Sequence, residues 1–202
     1  MKVAVLASGV GTNLQALIDR AHRRGMVEVV AVASDKPRAP ALARAQAVGI
    51  PTKVFALEDF SDRSERDLAM SAWLREQGVE LVVLAGYMQL LDEGFLSAFP
   101  SRVINVHPSL LPAFPGLNAV QQALDYGVKV FGATVFFVDG GVDSGPVILQ
   151  RAIGLQAVDD PEALVDRLHE IEHELLPEAV ALIARGAVSF DPVNPRRVVI
   201  AR

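Results

Sequence analysis

The chain alternates short, unbroken apolar runs with stretches of helical period, and this rhythm restricts its fold more than any other feature of its 202 residues. Residues 2–7, 27–34, 51–55, 81–85 and 102–105 read as strands, and the run 81–85 is apolar throughout, as in a central strand covered on both faces. Helical patterns lie between them: Leu14, Leu17, Ile18 and Ala21 in the first, then 41–48 ended by Gly49, then an amphipathic 62–77 stopped by Gly78. Parallel strands need crossover connections of this length. The alternation therefore predicts an α/β fold, with a mostly parallel, twisted sheet and helices on both faces.

The later residues vary the pattern. A loop over 108–116 leads to a helix over 118–126, and strands over 129–138 and 146–153 are expected to be antiparallel, because only a glycine-rich loop joins them. Asp160 as N-cap and Pro161 at the first position open a long last helix, with Leu164, Leu168, Ile171 and Leu175 as its core stripe. His169, Glu172 and His173 fall on its other faces, where solvation is the default. Pro177 should kink or interrupt this helix before it resumes through Ala184. Residues 191–202 form a polar tail, with 198–200 pairing at an edge. No repeat or linker divides the chain. One domain over 1–202 is expected, with parts of about 1–100 and 101–187 and a tail of 188–202.

Composition excludes several classes of protein. Apolar residues make up 51% and charged residues 21%, which argues against disorder. The longest uncharged apolar block, 81–88, is far too short to span a bilayer, and the apolar start is too short for a signal sequence. Zero cysteines exclude disulfides and cysteine–zinc sites and fit a cytoplasmic protein. The net charge is −5, and the basic pairs Arg23-Arg24 and Arg196-Arg197 are isolated, so no nucleic-acid surface is expected. An anionic ligand would have to be held by local backbone donors.

Three stretches carry candidate chemistry. The run Asn105-Val106-His107-Pro108-Ser109-Leu110-Leu111-Pro112 follows a buried strand, and its amide and imidazole, two residues apart, point the same way. Asp143, in the glycine-rich stretch 138–146, can fold back to set a carboxylate beside the imidazole. A carboxylate favours a charged imidazole, and an amide donates to a developing oxyanion. Asn105, His107 and Asp143 together could therefore serve acyl transfer without a protein nucleophile. Ser8-Gly9-Val10-Gly11-Thr12-Asn13 joins the first strand to the first helix as a phosphate cradle does, or as a tight turn without a ligand. Thr12 and Asn13 could cap that helix or bond the anion. Gly86 to Leu91 suit either a flat heteroaromatic ring or core packing under a short helix through Phe95.

A dinucleotide-binding oxidoreductase competes with this reading, since Gly9 and Gly11 open the helix and Asp35 follows the second strand where a ribose-binding acid would stand. Leu14 in place of a third glycine and the lack of a separate substrate domain count against it. His169 and His173, at helical i,i+4 spacing beside Glu172, have the spacing of a zinc pair, but helix surface and substrate contact explain them better, and no metal is expected.

Taken in order, Ser8-Gly9-x-Gly11-Thr12-Asn13, Leu84-Ala85-Gly86-Tyr87-Met88, Asn105-x-His107-Pro108-Ser109-Leu110-Leu111-Pro112, Pro115-Gly116 and Asp143-Ser144-Gly145-Pro146-Val147-Ile148-Leu149-Gln150 closely resemble the folate-dependent phosphoribosylglycinamide formyltransferases over about residues 2–185. The resemblance implies a single Rossmann-like formyltransferase domain with a phosphate-binding first half and a catalytic, folate-binding second half. It implies transfer of the formyl group of 10-formyltetrahydrofolate, as co-substrate, to the amine of phosphoribosylglycinamide in purine biosynthesis. The implied partners are small molecules, with no metal, nucleic acid or membrane, in a monomer or homodimer.

Residue by residue, Asn105, His107 and Asp143 match the family's catalytic positions. Gly11, Thr12, Asn13, Glu172, His169 and Met88 match contacts to phosphoribosylglycinamide. Arg63, Met88, Gln89, Leu90, Leu91, Asn105, Gly140, Gly141 and Asp143 match contacts to the folate, and Ser109 stays structural. Gln89 departs from a common arginine, Asn118 and Phe136 from common histidines, and His169 from a common glutamine, which bears on affinity rather than on the reaction. The nearest alternatives are formyltetrahydrofolate hydrolases, which carry an N-terminal regulatory domain, and methionyl-tRNA formyltransferases, which carry a C-terminal RNA-binding domain. A first strand at residue 2 and the early end of the chain disfavour both.

Overall fold

The structure is a computed structural model that describes residues 1–155 and 161–201, and these fall into two compact units, Met1–Asn105 and Val106–Arg202. The first unit contains β1 (Lys2–Leu6), α1 (Thr12–Leu17), β2 (Glu28–Ser34), α2 (Pro40–Gln46), β3 (Thr52–Val54), α3 (Arg63–Glu76), β4 (Leu81–Leu84) and α4 (Glu93–Ala98). β5 (Val103–His107) begins there and runs on into the second. The first unit's strands lie in the order β3-β2-β1-β4-β5, and every pairing is parallel. β1 from Val3 onward and all of β4 are buried, which is why their sequences are continuous apolar runs rather than alternating ones. Burial of each such side chain contributes about 1.5–3 kcal/mol.

Two boundaries differ from expectation. β5 extends beyond Asn105 to His107, because Val106 is buried and the strand stops only at Pro108, which has no N–H to give. α1 is capped by Gly11 in a left-handed conformation (φ 77°) with no side-chain cap bond, so neither Thr12 nor Asn13 caps it. α3 is capped by Asp62, which accepts the Glu65 N–H at 2.9 Å, and the Glu65 carboxylate accepts the Ser61 N–H at 2.8 Å.

The second unit contains α5 (Ala119–Tyr126), β6 (Val130–Phe137), β7 (Val147–Gly154), α6 (Pro161–Ala184), β8 (Val188–Phe190) and β9 (Val198–Ile200). β6 and β7 pair antiparallel, as their short connection requires. Ala123, Phe131, Leu164 and Leu168 form a buried cluster that joins α5, β6 and α6, with Phe114 and Ile153 packed against it. α6 runs unbroken through Pro177, against the expected interruption. Proline removes one backbone donor, but Leu175, Leu176, Ala179 and Val180 around it are buried, and that packing keeps the helix intact. The N-cap assigned to Asp160 lies outside the described residues. β9 pairs with β8 as a separate two-stranded ribbon rather than at an edge of the main sheet. Phe190 of that ribbon lies 4.9 Å from Phe137, ring centroid to centroid. With four parallel pairings in the first unit and one antiparallel hairpin in the second, the fold is α/β with a mostly parallel sheet. Among the described residues no helix is long and apolar enough to cross a membrane.

Candidate active site

In the first unit, register sets Leu6 opposite Leu84 and Leu84 opposite Asn105. The glycine loop after β1, the segment after β4 and Asn105 therefore leave the strands at one carboxyl edge, where open α/β sheets bind ligands. Ser8 ties the two loops together. Its N–H donates to the Gly86 carbonyl at 3.0 Å, and its buried hydroxyl oxygen accepts the Met88 N–H at 2.9 Å. Gly11 is glycine for two reasons: its φ of 77° and a Cβ that would sit 2.7 Å from the Ala41 Cβ. α2 holds the loop from beside it, since Arg44 Nε donates to the Val10 carbonyl at 2.8 Å.

The segment 86–91 splits between its two expected roles. Tyr87 packs inward, and burial pushes its phenol well above the ordinary range. Met88 and Leu90 remain 59% and 58% exposed, apolar side chains available to cover a ligand. Gln89 is partly buried, lines a cleft of ≈ 310 Å³ with Asp35, Lys36, Pro37, Leu57 and Glu58, and donates Nε2 to Asp35 Oδ2 at 3.1 Å. Arg63 is exposed at the start of α3.

Beneath this segment lies a pair that the sequence reading missed. Arg66 and Asp67 have no exposed surface, and their side chains meet at 2.6 Å. Arg66 Nη2 donates to the Leu90 carbonyl at 3.0 Å, and Asp67 Oδ2 accepts the Asp92 N–H at 2.8 Å. Burial pushes the Asp67 carboxyl up, against the opposing pull of the Asp92 N–H and the Arg66 guanidinium. The signal was present, since Arg66 shares a helical stripe with Met70 and Leu74.

In the second unit the fold brings His107 and Asp143 together, Nδ1 to Oδ2, at 3.3 Å. The other ring nitrogen, Nε2, lies 2.9 Å from the Phe114 carbonyl. A carbonyl and a carboxylate both accept, so a hydrogen on either ring nitrogen has an acceptor in reach. Asp143 Oδ2 also accepts the Gly116 N–H at 2.7 Å. Asp139 shapes the loop that presents Asp143, with its Oδ1 accepting from the Gly141 N–H at 3.0 Å and the Ser144 hydroxyl at 2.6 Å. Gly140 and Gly141 stand exposed on that loop.

The turn after His107 is pinned from within. The Ser109 hydroxyl donates to the Ala113 carbonyl at 2.6 Å, the Thr134 hydroxyl donates to the Ser109 carbonyl at 2.6 Å, and Thr134 Oγ1 accepts the Leu111 N–H at 3.1 Å. Ser109 is thus structural. Phe136 is buried in β6, and Asn118 takes a left-handed conformation (φ 59°) ahead of α5. Glu172 is buried on α6 beside Ile171 and Leu175, so the solvated reading fails for it. Its neighbours His169 and His173 are half-buried and stacked at 6.1 Å. Among the described residues no group of three His, Asp or Glu is placed to hold a metal ion.

Residues 1–180 of this chain match the formyl transferase family model. The chain belongs to that family. It is 41% identical to the phosphoribosylglycinamide formyltransferase of Bacillus subtilis over 180 residues, which is 89% of this chain and 92% of that protein. Among solved structures, glycinamide ribonucleotide transformylase 1 from Symbiobacterium toebii superposes with a TM-score of 0.95 at 45% identity, covering 100% of this chain and 94% of that one. The trifunctional purine biosynthetic protein adenosine-3 of Drosophila melanogaster is 43% identical over 194 residues, but the chain spans only 14% of its length. The oxidoreductase reading is set aside by these likenesses.

Proposed function

We propose that the chain transfers the formyl group of 10-formyltetrahydrofolate to the primary amine of 5-phosphoribosylglycinamide, a step of de novo purine biosynthesis in the cytoplasm. The observation that carries this reading is the His107 ring held between the Phe114 carbonyl and the Asp143 carboxylate, two residues beyond Asn105 on one strand. The amine nitrogen attacks the formyl carbon, the carbonyl oxygen becomes an oxyanion, and collapse of that intermediate expels the folate nitrogen. Asn105 and charged His107 donate to the oxyanion. Asp143 keeps His107 oriented and charged, and carries the proton from the attacking amine toward the leaving nitrogen, through water. Donation by His107 requires one of its present contacts to yield: with Nδ1 kept beside Asp143, it is Nε2 that leaves the Phe114 carbonyl for the oxyanion. Positioning and charge stabilisation suffice, and no protein nucleophile takes part.

In this reading Gly11, Thr12 and Asn13 seat the phosphate, while Glu172 and His169 contact the sugar and Met88 the substrate beside it. Leu90, Leu91, Gly140 and Gly141 enclose the folate ring, where backbone groups read its edge and apolar side chains cover its faces. Arg63 and the backbone of Gln89 complete the folate contacts. An absorbance assay of 10-formyltetrahydrofolate conversion, run with and without phosphoribosylglycinamide, tests the proposal. Consumption should require the amine, and consumption indifferent to it would mark a hydrolase instead.

A further inference from the structure

We propose that Arg66 is a positioning residue for the folate co-substrate, holding from beneath the backbone segment 88–92 that the folate reads. The inference rests on the function proposed above. A fully buried arginine is costly unless its donors are satisfied, and each contact of this one bears on the same segment or on its own partner. Nε and Nη2 pair with Asp67 at 2.8 and 2.6 Å, Nη2 also donates to the Leu90 carbonyl at 3.0 Å, and Nη1 approaches Gln89 Oε1 at 3.4 Å. Asp67 uses its second oxygen to accept the Asp92 N–H at 2.8 Å. Two successive residues of α3 thereby grip the segment at Leu90 and at Asp92.

The same arrangement orients Gln89. A guanidinium only donates and a carboxylate only accepts, so the amide must turn Oε1 to Arg66 and Nε2 to Asp35. Gln89 is committed to the wall in a chain running Asp67, Arg66, Gln89, Asp35. Met88 and Leu90 are left as the outward groups. None of these contacts involves His107 or Asp143. Loosening the segment should therefore weaken folate binding while leaving the chemical step in place.

Two variants test this. Arg66→Lys keeps the charge but lacks the planar fork that reaches three partners at once. The double variant Arg66→Met with Asp67→Leu replaces the buried pair by apolar side chains, a change that buried ion pairs often tolerate. Thermal unfolding establishes that each folds, and calorimetry measures tetrahydrofolate affinity independently of turnover. The Kd for tetrahydrofolate and the KM for 10-formyltetrahydrofolate should rise about tenfold, with kcat and the KM for phosphoribosylglycinamide within about twofold. A folded variant with unchanged folate affinity would overturn the inference. So would one in which both KM values and kcat deteriorate together, as general structural damage would cause. A wild-type protein that binds tetrahydrofolate but transfers no formyl group would fail the proposed function alone, and the affinity comparison would still judge Arg66.

Discussion

Nδ1 of His107 lies 3.3 Å from Oδ2 of Asp143, and the Gly116 N–H donates to the same oxygen at 2.7 Å. Asp143 sits at φ 49°, a left-handed conformation that asparagine tolerates as readily as aspartate. Asp143→Asn should therefore keep the loop and its Gly116 contact while removing the charge. Turnover should fall by about 10²–10⁴-fold, with the unfolding midpoint little changed. Near-normal kcat in this variant would remove the carboxylate from the mechanism.

Ser109→Ala separates direct transfer from a covalent route. Its hydroxyl is fully buried and spent on the Ala113 carbonyl at 2.6 Å. Ala113 is itself exposed, so its carbonyl can turn to water, and loss of the bond should lower stability by about 0.5–1.5 kcal/mol. kcat should remain within a few-fold of wild type. A loss as large as that of the aspartate variant would point to a serine nucleophile.

Gly11 and Gly9 offer a matched pair in one loop. A Cβ at Gly11 meets Ala41 Cβ at 2.7 Å and Cα at 2.8 Å with φ at 77°, whereas a Cβ at Gly9 meets nothing within 4 Å. Gly11→Ala should cost about 1–3 kcal/mol and raise the KM for phosphoribosylglycinamide. Gly9→Ala should leave stability nearly untouched. Equal unfolding midpoints for the two variants would contradict the close approach of loop and helix.

Tyr87 links burial to alkaline stability. Its folded-state pKa is raised above the ordinary 10.0, chiefly by burial, so the folded protein retains a proton that the unfolded chain gives up. The stabilisation is complete below that ordinary value and is lost as pH rises above it. Tyr87→Phe should abolish this slope in unfolding experiments compared across about pH 9–11. At neutral pH it should change stability by less than about 1 kcal/mol, because the hydroxyl has no hydrogen-bond partner among the described residues. Parallel pH profiles for the two proteins would contradict this account.

The elements that buried strands impose were readable in advance. A run such as Leu81–Leu84 is apolar because both faces are covered, and the same burial produces its place between β1 and β5. The meeting of His107 with Asp143 was anticipated from chemistry and motif together, since spacing alone says nothing of a loop folding back. Four features escaped in whole or in part. Arg66 and Asp67 look like the polar face of an amphipathic helix, and only their place on the stripe of Met70 and Leu74 shows them buried. Glu172 hid in the same way on α6, where polar character suggested solvent and packing beside Ile171 and Leu175 excluded it. Strand β8 is three residues long, too short for alternation to register, so the partner of the expected pairing segment 198–200 went unseen. The bonds among Ser109, Thr134 and Leu111 join positions distant in the chain, and no local pattern encodes them.

The fate of the carbon atom itself tests the account most directly. In a single-turnover rapid-quench experiment, 10-formyltetrahydrofolate labelled in the formyl group is mixed with enzyme and phosphoribosylglycinamide, and small molecules and protein are analysed separately by mass spectrometry. Label should pass wholly into the formamide product and at no time be bound to the protein. Label recovered as free formate, or carried transiently by the polypeptide, would contradict direct transfer to the substrate amine.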